Sequence, residues 1–379
     1  MSNLGVSVHV ISDSNALSKI ESAWNALTTT CSNNPFLLSG FVKQYMEFNH
    51  SKGWTPLVLA MSVGDKLVFA SSLRTEKKLG VRFATFLSKS WLSPDFIVDN
   101  QYQEACMEYF LDFLFNTLHC KIVDLILPAE SPNLQILKQK CKAKSISFFT
   151  IPAIGHMIIP VNRTWDEFRN SRTRNFRKKF KKIEQNLSQA GLWKITSAEK
   201  GSNQLGVVEK IFDVEKMSWK EEWRVRAGKK DTDLLIILAG SQHMAEIEPS
   251  FKWDVWFLEL NNQTLAYWLV IQYKEVAYLA KTSYDKRYEG FSPGICVLNA
   301  VIRELFNGPT KKVDFLTELP FMKIWTDLRM PRVRVVMSKS SALLNFIRFT
   351  LSTKAAKGIL DSLSKKAPFI AKLLDSYVN

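Results

Sequence analysis

Hydrophobic positions along the chain change period several times, and the same succession of periods comes twice. From Ser14 to Leu27 a helical spacing places Trp24 and Leu27 on one face, and Asn34-Pro35 in NPFLLSGFVKQYMEF opens a second helix. Strand-like runs follow at 56–62, 67–73 and 81–87, with Gly64-Asp65 between the first two, so an antiparallel meander is expected. SWLSPDF then leads into a long amphipathic helix through Tyr109, Leu111, Leu114 and Leu118, and IVDLILP reads as a strand. A helix over 133–142 and a short strand at 147–150 close this half.

The second half repeats the order. Runs at 253–260, 265–272 and 276–282 form another three-strand meander, with Asn261-Asn262 at one turn. FSP then opens a helix whose Ile295, Leu298, Ile302, Leu305 and Phe306 recur at helical spacing, and KKVDFL supplies a strand near 313–316. Ser93-Pro94 answers Ser292-Pro293, and Asp124 answers Asp314, which indicates a diverged duplication of one α/β unit at a spacing of about 200 residues.

The loop before the second helix carries the candidate chemistry: Lys286, Arg287, Gly290, Ser292 and Gly294. A glycine-bearing turn that feeds a helix N-terminus presents unpaired N–H groups and the positive end of a helix dipole, which suits a phosphate. Pro293 fits the first helical turn because it has no N–H to lose there. Gly290, Ser292 and Gly294 also satisfy the G-x-S-x-G pattern of a hydrolase nucleophile elbow. That elbow takes an oxyanion-hole N–H from the residue after the serine, here Pro293, which has none and which biases Ser292 toward extended geometry, so a serine hydrolase is rejected. In the first copy Asp95 stands where the second has Gly294. Its carboxylate is expected to oppose a pyrophosphate, leaving the second copy to hold a phosphorylated donor.

Composition adds a charge argument. A chain of 379 residues with 46% hydrophobic content can bury two cores, and its net charge of +15 points to an anionic partner: a phosphorylated cofactor, tRNA or a membrane surface. Excess lysine that only maintains solubility is the plain alternative. The basic excess is concentrated in RTWDEFRNSRTRNFRKKFKK, where Phe168, Phe176 and Phe180 are spaced to anchor one helix face while the arginines project outward. Five scattered cysteines without a C-x-x-C pair and five dispersed histidines give no support to a disulfide framework or a metal centre. MSNLGVSVHV lacks signal-peptide features and no apolar run approaches a membrane span, so the expected compartment is the cytoplasm.

Taken together, NPFLLSGFV, SRTRNFRKKFKKIEQNLSQAG, EKMSWKEEW, SYDKRYEGFSPGICVL and DFLTELPFMKIWTD resemble the cellulose-biosynthesis-like acyltransferases. These are tandem members of the GNAT superfamily, related in fold to the Fem peptidyltransferases. The likeness runs from Asn34 to Asp327. It implies an α/β (α+β) fold of two GNAT-like domains, each a mixed, mainly antiparallel sheet flanked by helices, with units at 1–155 and 156–339; the helical tail at 340–379 lies outside it. It also implies an acyl-CoA donor such as acetyl-CoA, an amine or sugar-linked acceptor, and a CoA pyrophosphate held at Lys286, Arg287, Gly290, Ser292 and Gly294. Fem-like enzymes use aminoacyl-tRNA instead, and a non-catalytic scaffold with a basic surface is the reading from another class.

Acyl transfer needs a deprotonated nucleophile, a polarised carbonyl and a proton for the leaving thiolate. Tyr284, just after a strand, either supplies that proton or packs under the loop. Asp314, in a buried-looking strand, is a base or a structural carboxylate, and its twin Asp124 in the inactive copy favours structure. Lys323 resembles the lysine that Fem-like proteins carry after their last strand, and Glu318 either pairs with it or acts as base. Trp219 and Lys220 resemble the family's substrate-facing helix. Arg172, Arg174 and Arg177 are candidates for a clamp on an acceptor or phosphate. The tail carries two basic amphipathic segments divided at Ala367-Pro368, expected either to pack on the second domain or to lie on the inner face of a membrane.

Overall fold

The computed structural model describes residues 5–49, 54–78, 81–198, 204–218, 220 and 232–352. Among these, thirteen strands join in one continuous sheet. The first half supplies β1 (Val6–Ile11), β2 (Thr55–Val63), β3 (Lys66–Lys78), β4 (Val81–Phe86), β5 (Ile97–Val98), β6 (Ile122–Pro128) and β7 (Ser147–Pro160). The second supplies β8 (Trp193–Ala198), β9 (Phe251–Leu260), β10 (Gln263–Tyr273), β11 (Val276–Tyr284), β12 (Lys312–Asp314) and β13 (Arg329–Ser338). Both expected meanders are present, each extended by an outer strand, β1 or β8, that the hydrophobic pattern did not single out. Asn261 and Asn262 both adopt positive φ, 49° and 63°, which suits the right-handed twist of a two-residue hairpin.

In each half the fourth strand of the meander is followed by a parallel neighbour, β4 by β6 and β11 by β12. The closing strands are then exchanged. β6 pairs with β13 from the second half, and β12 pairs with residues 158–160 of β7, the strand that crosses from the first unit into the second. β7 and β13 also pair with each other, which makes the sheet continuous. Each duplicated aspartate is met by a basic side chain from the exchanged strand. Asp124 on β6 takes a two-pronged contact from Arg334 on β13 (2.9 and 2.6 Å), and Asp314 on β12 lies 3.1 Å from Nδ1 of His156 on β7.

One face of the sheet is covered by α1 (Ser14–Lys19), α2 (Glu21–Cys31), α3 (Ser39–Asn49), α8 (Gln204–Lys216) and α9 (Thr232–Ile247), with Trp24, Phe41, Ile211, Ile237 and Tyr267 in a shared core. The opposite face is covered by α4 (Gln103–Asp112) and α5 (Pro132–Ala143) in the first half. In the second half α6 (Trp165–Ser171), α7 (Arg174–Ala190) and α10 (Pro293–Asn307) cover it. The phenylalanines read as anchors, Phe168, Phe176 and Phe180, are all buried beneath this layer. Helices α3 and α9 approach through glycines: a Cβ on Gly240 would lie 2.6 Å from the Phe41 ring, and one on Gly40 2.7 Å from Met244 Sδ.

One expectation changes. No helix opens at Pro94. Ser93 turns left-handed (φ 53°, ψ 52°), β5 follows, and α4 begins only at Gln103. The described part of the tail, α11 (Ser341–Ser352), sets Leu344 and Ile347 against Val336 of the second unit and against Ile122 and Phe149 of the first, over the seam of β6, β7 and β13. The second tail segment lies outside the described residues. No described helix is long and apolar enough to cross a membrane.

Candidate functional site

β11 and β12 run side by side only where Val276 to Tyr278 face Lys312 to Asp314. Past that point they separate, and the cause is local. Leu316 takes a left-handed conformation (φ 58°), its N–H held by Asp314 Oδ1 at 2.7 Å. The chain then follows β7: Phe315 N donates to Met157 O, and Met157 N to Thr317 O, both at 3.0 Å. Asp314 is therefore the pivot of the splay. With the chain after β12 drawn toward β7, the edge of β11 from Leu279 to Tyr284 has no strand on that side among the described residues.

The splay opens into a cavity of about 730 Å³. The β11 edge and the turn at Ser292, Pro293 and Gly294 line one part of it. Phe315, Leu316, Thr317, Leu319, Phe321 and Met322 build another, and Trp91 reaches in from the first half. Lys220, Lys281 and Glu289 also contribute, so both signs of charge meet the cavity. Trp268 on β10 fixes the helix start by donating from Nε1 to Gly294 O at 2.8 Å.

The turn between β11 and α10 is built on Asp285. This buried carboxylate accepts from Arg287 N at 3.0 Å and from the Arg287 guanidinium at Nε and Nη2, the shortest contact being 2.6 Å. Burial alone would raise the Asp285 carboxyl, but the Arg287 side chain and amide bring it below its ordinary value. Ser292 N closes the turn on Glu289 O at 2.9 Å, and Ser292 is left-handed (φ 52°, ψ 50°) rather than extended as the following proline suggested. That reversal redirects the chain into α10. No side chain caps this helix, whose first turn is closed by Ile295 N and Cys296 N donating to Ser292 O. A Cβ on Gly294 would meet only Tyr284 Cδ1, at 3.6 Å.

Of the residues singled out from sequence, Tyr284, Lys220, Ser292 and Gly294 meet at this cavity. Tyr284 is half-buried, and burial, followed by the Glu289 charge, raises its phenol, with Lys286 acting the other way. Lys220 donates from Nζ to Thr282 O and lies 3.6 Å from Glu215 Oε1. Gly290, Lys286 and Arg287 are exposed on the turn, and Arg287 is engaged by Asp285. Trp219 lies outside the described residues.

The remaining candidates are placed elsewhere. Lys323 is exposed on the short helix Pro320–Ile324, between cavity-lining Met322 and Ile324, and does not itself line the cavity. Glu318 pairs with Arg329 at 2.8 Å rather than with Lys323. Arg172 donates to Trp325 O at 2.8 Å, and Arg177 to Arg172 O at 2.9 Å and Asn170 O at 3.2 Å. These two arginines tie the α6–α7 corner to the loop before β13, and Arg174 is exposed. None of the three lines the cavity. The sequence reading missed Trp91, Trp268 and Glu215. Glu215 is 2% exposed and accepts from Tyr267 OH at 2.5 Å. The EKMSWK motif contains it, but no local spacing announces a carboxylate that a strand about 50 residues away will cover.

In the first half the equivalent turn is plugged. Phe96 packs on Phe69, Phe86 and Phe110 with ring centroids 4.9 to 5.9 Å apart. Asp95 faces Asn133, whose Nδ2 donates at 3.0 Å, and its own neighbour Phe96 N at 2.7 Å. Burial raises its carboxyl to about 6, against hydrogen bonds from Ser131, Asn133 and Phe96 N that lower it. The carboxylate expected to oppose a pyrophosphate is thus engaged by Asn133 and Phe96 N, and this turn lacks a helix and has its space filled.

Residues 174–320 match the family model described as Acetyltransferase (GNAT) domain, a span that includes α7, the β9–β11 meander, the turn and α10. No curated protein sequence matches the chain. Among solved structures, FemX superposes with a TM-score of 0.54 at 13% identity, covering 83% of this chain and 95% of that one. The C-terminal domain (DUF2156) of a putative lysylphosphatidylglycerol synthetase from Agrobacterium fabrum gives 0.52 at 9% identity, covering 92% and 96%. A tandem GNAT protein from the clavulanic acid biosynthesis pathway gives 0.48 at 10% identity, covering 88% and 99%. The chain thus has a mixed α/β, GNAT-like fold, with an acetyltransferase (GNAT) domain match over residues 174–320.

Proposed function

We propose that the protein is an N-acyltransferase that binds an acyl-CoA in the β11–β12 splay and passes the acyl group to an amine. The observation that carries this reading is the continuity of the β11 edge past Tyr278, which no described strand joins on that side, with the 730 Å³ cavity and the N-terminus of α10, which no side chain caps. Such a strand edge suits the amides of an extended pantetheine arm, and a helix N-terminus suits its diphosphate. Units 1–155 and 156–339 divide the work, the second holding the donor and the first contributing Trp91 to the cavity wall.

In the reaction the amine nitrogen bonds to the thioester carbonyl carbon, the C–S bond breaks and the amine gives up a proton. The Tyr284 phenol, raised by burial and therefore protonated at neutral pH, protonates the departing thiolate, and the proton the amine gives up returns through solvent to the phenolate and regenerates it. Lys220 positions the β11 edge through Thr282 O. An amine on a sugar of a cell-surface polysaccharide is the acceptor class suggested by the family resemblance. A peripheral contact of the basic tail with the membrane's inner face would place the enzyme near it.

Calorimetric titration with CoA and acetyl-CoA tests the reading. Wild-type protein and Gly294→Ala are expected to bind, since a methyl group fits there, whereas Gly294→Asp is expected to lose at least tenfold in affinity by setting a carboxylate against the diphosphate. No binding by wild type, or equal binding by Gly294→Asp, overturns it. An aminoacyl-tRNA donor is the second reading, favoured by the exposed Arg174, Lys178, Lys179, Lys181 and Lys182 on α7. It requires tRNA binding that weakens steeply with salt.

A further inference from the structure

We infer that the acyl group carried into this site is an aliphatic chain longer than acetyl. The inference rests on the proposed donor site and names the chemistry of its cargo. The cavity lies in the upper part of the range of about 300–1,000 Å³ usual for small-molecule sites, and an acetyl group would occupy little of the wall that faces the β11 edge. That wall is Phe315, Leu316, Thr317, Leu319, Phe321 and Met322, with Trp91 arriving from the other half of the chain. Its side chains offer hydrogen bonds only from the Thr317 hydroxyl and the Trp91 indole, fewer than a polar cargo such as an aminoacyl group needs to replace its water.

Leu316 supplies an independent indication. It is 2% exposed and held at φ 58°, a conformation that a glycine or asparagine would adopt at less cost. A branched apolar side chain is kept at the pivot of the splay although the backbone there disfavours it. This is understandable where the side chain both packs in the buried cluster that includes α1–α3 and closes the apolar wall of the cavity. Leu319, on the same wall, is 44% exposed, a large apolar side chain left uncovered beside the cavity.

The test is equilibrium binding of CoA, acetyl-, butyryl-, octanoyl- and palmitoyl-CoA to the full chain, repeated with Leu319→Glu, a substitution at a position exposed enough to preserve folding. Affinity is expected to rise by up to about fourfold per added methylene until the cavity is full, and Leu319→Glu to flatten that rise. Binding of CoA with equal affinity for every chain length overturns the inference while the donor site stands. The same holds if Leu319→Glu leaves the chain-length dependence intact. Failure of CoA and every thioester to bind removes the donor site and the inference together.

Discussion

Asp314 occupies a position at which a base and a structural carboxylate look alike in sequence. Its Oδ1 accepts from Leu316 N and faces His156 Nδ1, and it does not line the cavity. Both contacts hold the splay open, so Asp314→Ala is expected to destabilise the fold by about 1–3 kcal/mol in urea unfolding, with Asp314→Asn keeping part of the loss back. A large fall in turnover with unchanged stability would instead make it a base. The need for some partner was legible in the sequence, because a carboxylate on a buried strand is costly unpaired. The identity of the partner was not, since His156 lies far from Asp314 in sequence, on β7, the strand that crosses from one unit into the other. The turn shows the same limit. Lys286 and Arg287 read as an anion-binding pair, but the buried Asp285 beside them already neutralises the guanidinium.

At the scale of elements, the meanders, α10 and the parallel strands were legible because their apolar positions alternate or recur at helical spacing. Helix α9 was not, because Leu234, Ile236, Ile237 and Leu238 are buried on several sides, between α3 and β9, and leave no polar face to set a period. The junction of these helices carries a charge cluster that pH can test. Glu21 on α2 accepts from Lys43 Nζ (2.8 Å) and Ser39 Oγ (2.7 Å) on α3, and lies 2.9 Å from His243 Nε2 on α9. Burial raises its carboxyl, and the contacts with Lys43, His243 and Ser39 outweigh that and bring it down to about 2. A carboxylate depressed on folding stabilises above its unfolded value, about 4.3, and that contribution is lost as pH falls toward the folded value. Thermal unfolding of wild type is expected to lose ground to Glu21→Gln between pH 5 and about pH 2. Parallel pH profiles would show that the cluster carries no such linkage.

The whole molecule is organised as two halves of like strand order whose sheets join through the interleaved β13 and β7. Ser93 and Ser292, almost 200 residues apart, share one left-handed geometry, and Asp124 and Asp314 each meet a basic residue from the exchanged strand. The repeat was visible as a recurring order of periods. The exchange was not, because β7 and β13 carry the same alternation whichever neighbour they join. It matters for the site: by pairing with residues beyond β12, β7 draws that segment off β11 and opens the cavity, whereas the first copy, lacking a helix at Pro94, is filled by Phe96. Hydrogen–deuterium exchange with and without saturating CoA tests this asymmetry most directly. Donor binding in the splay predicts slowed exchange at residues 279–284 and 294–297, with residues 93–98 unaffected. Unchanged exchange in the splay, or protection appearing at the first-copy turn instead, would contradict it.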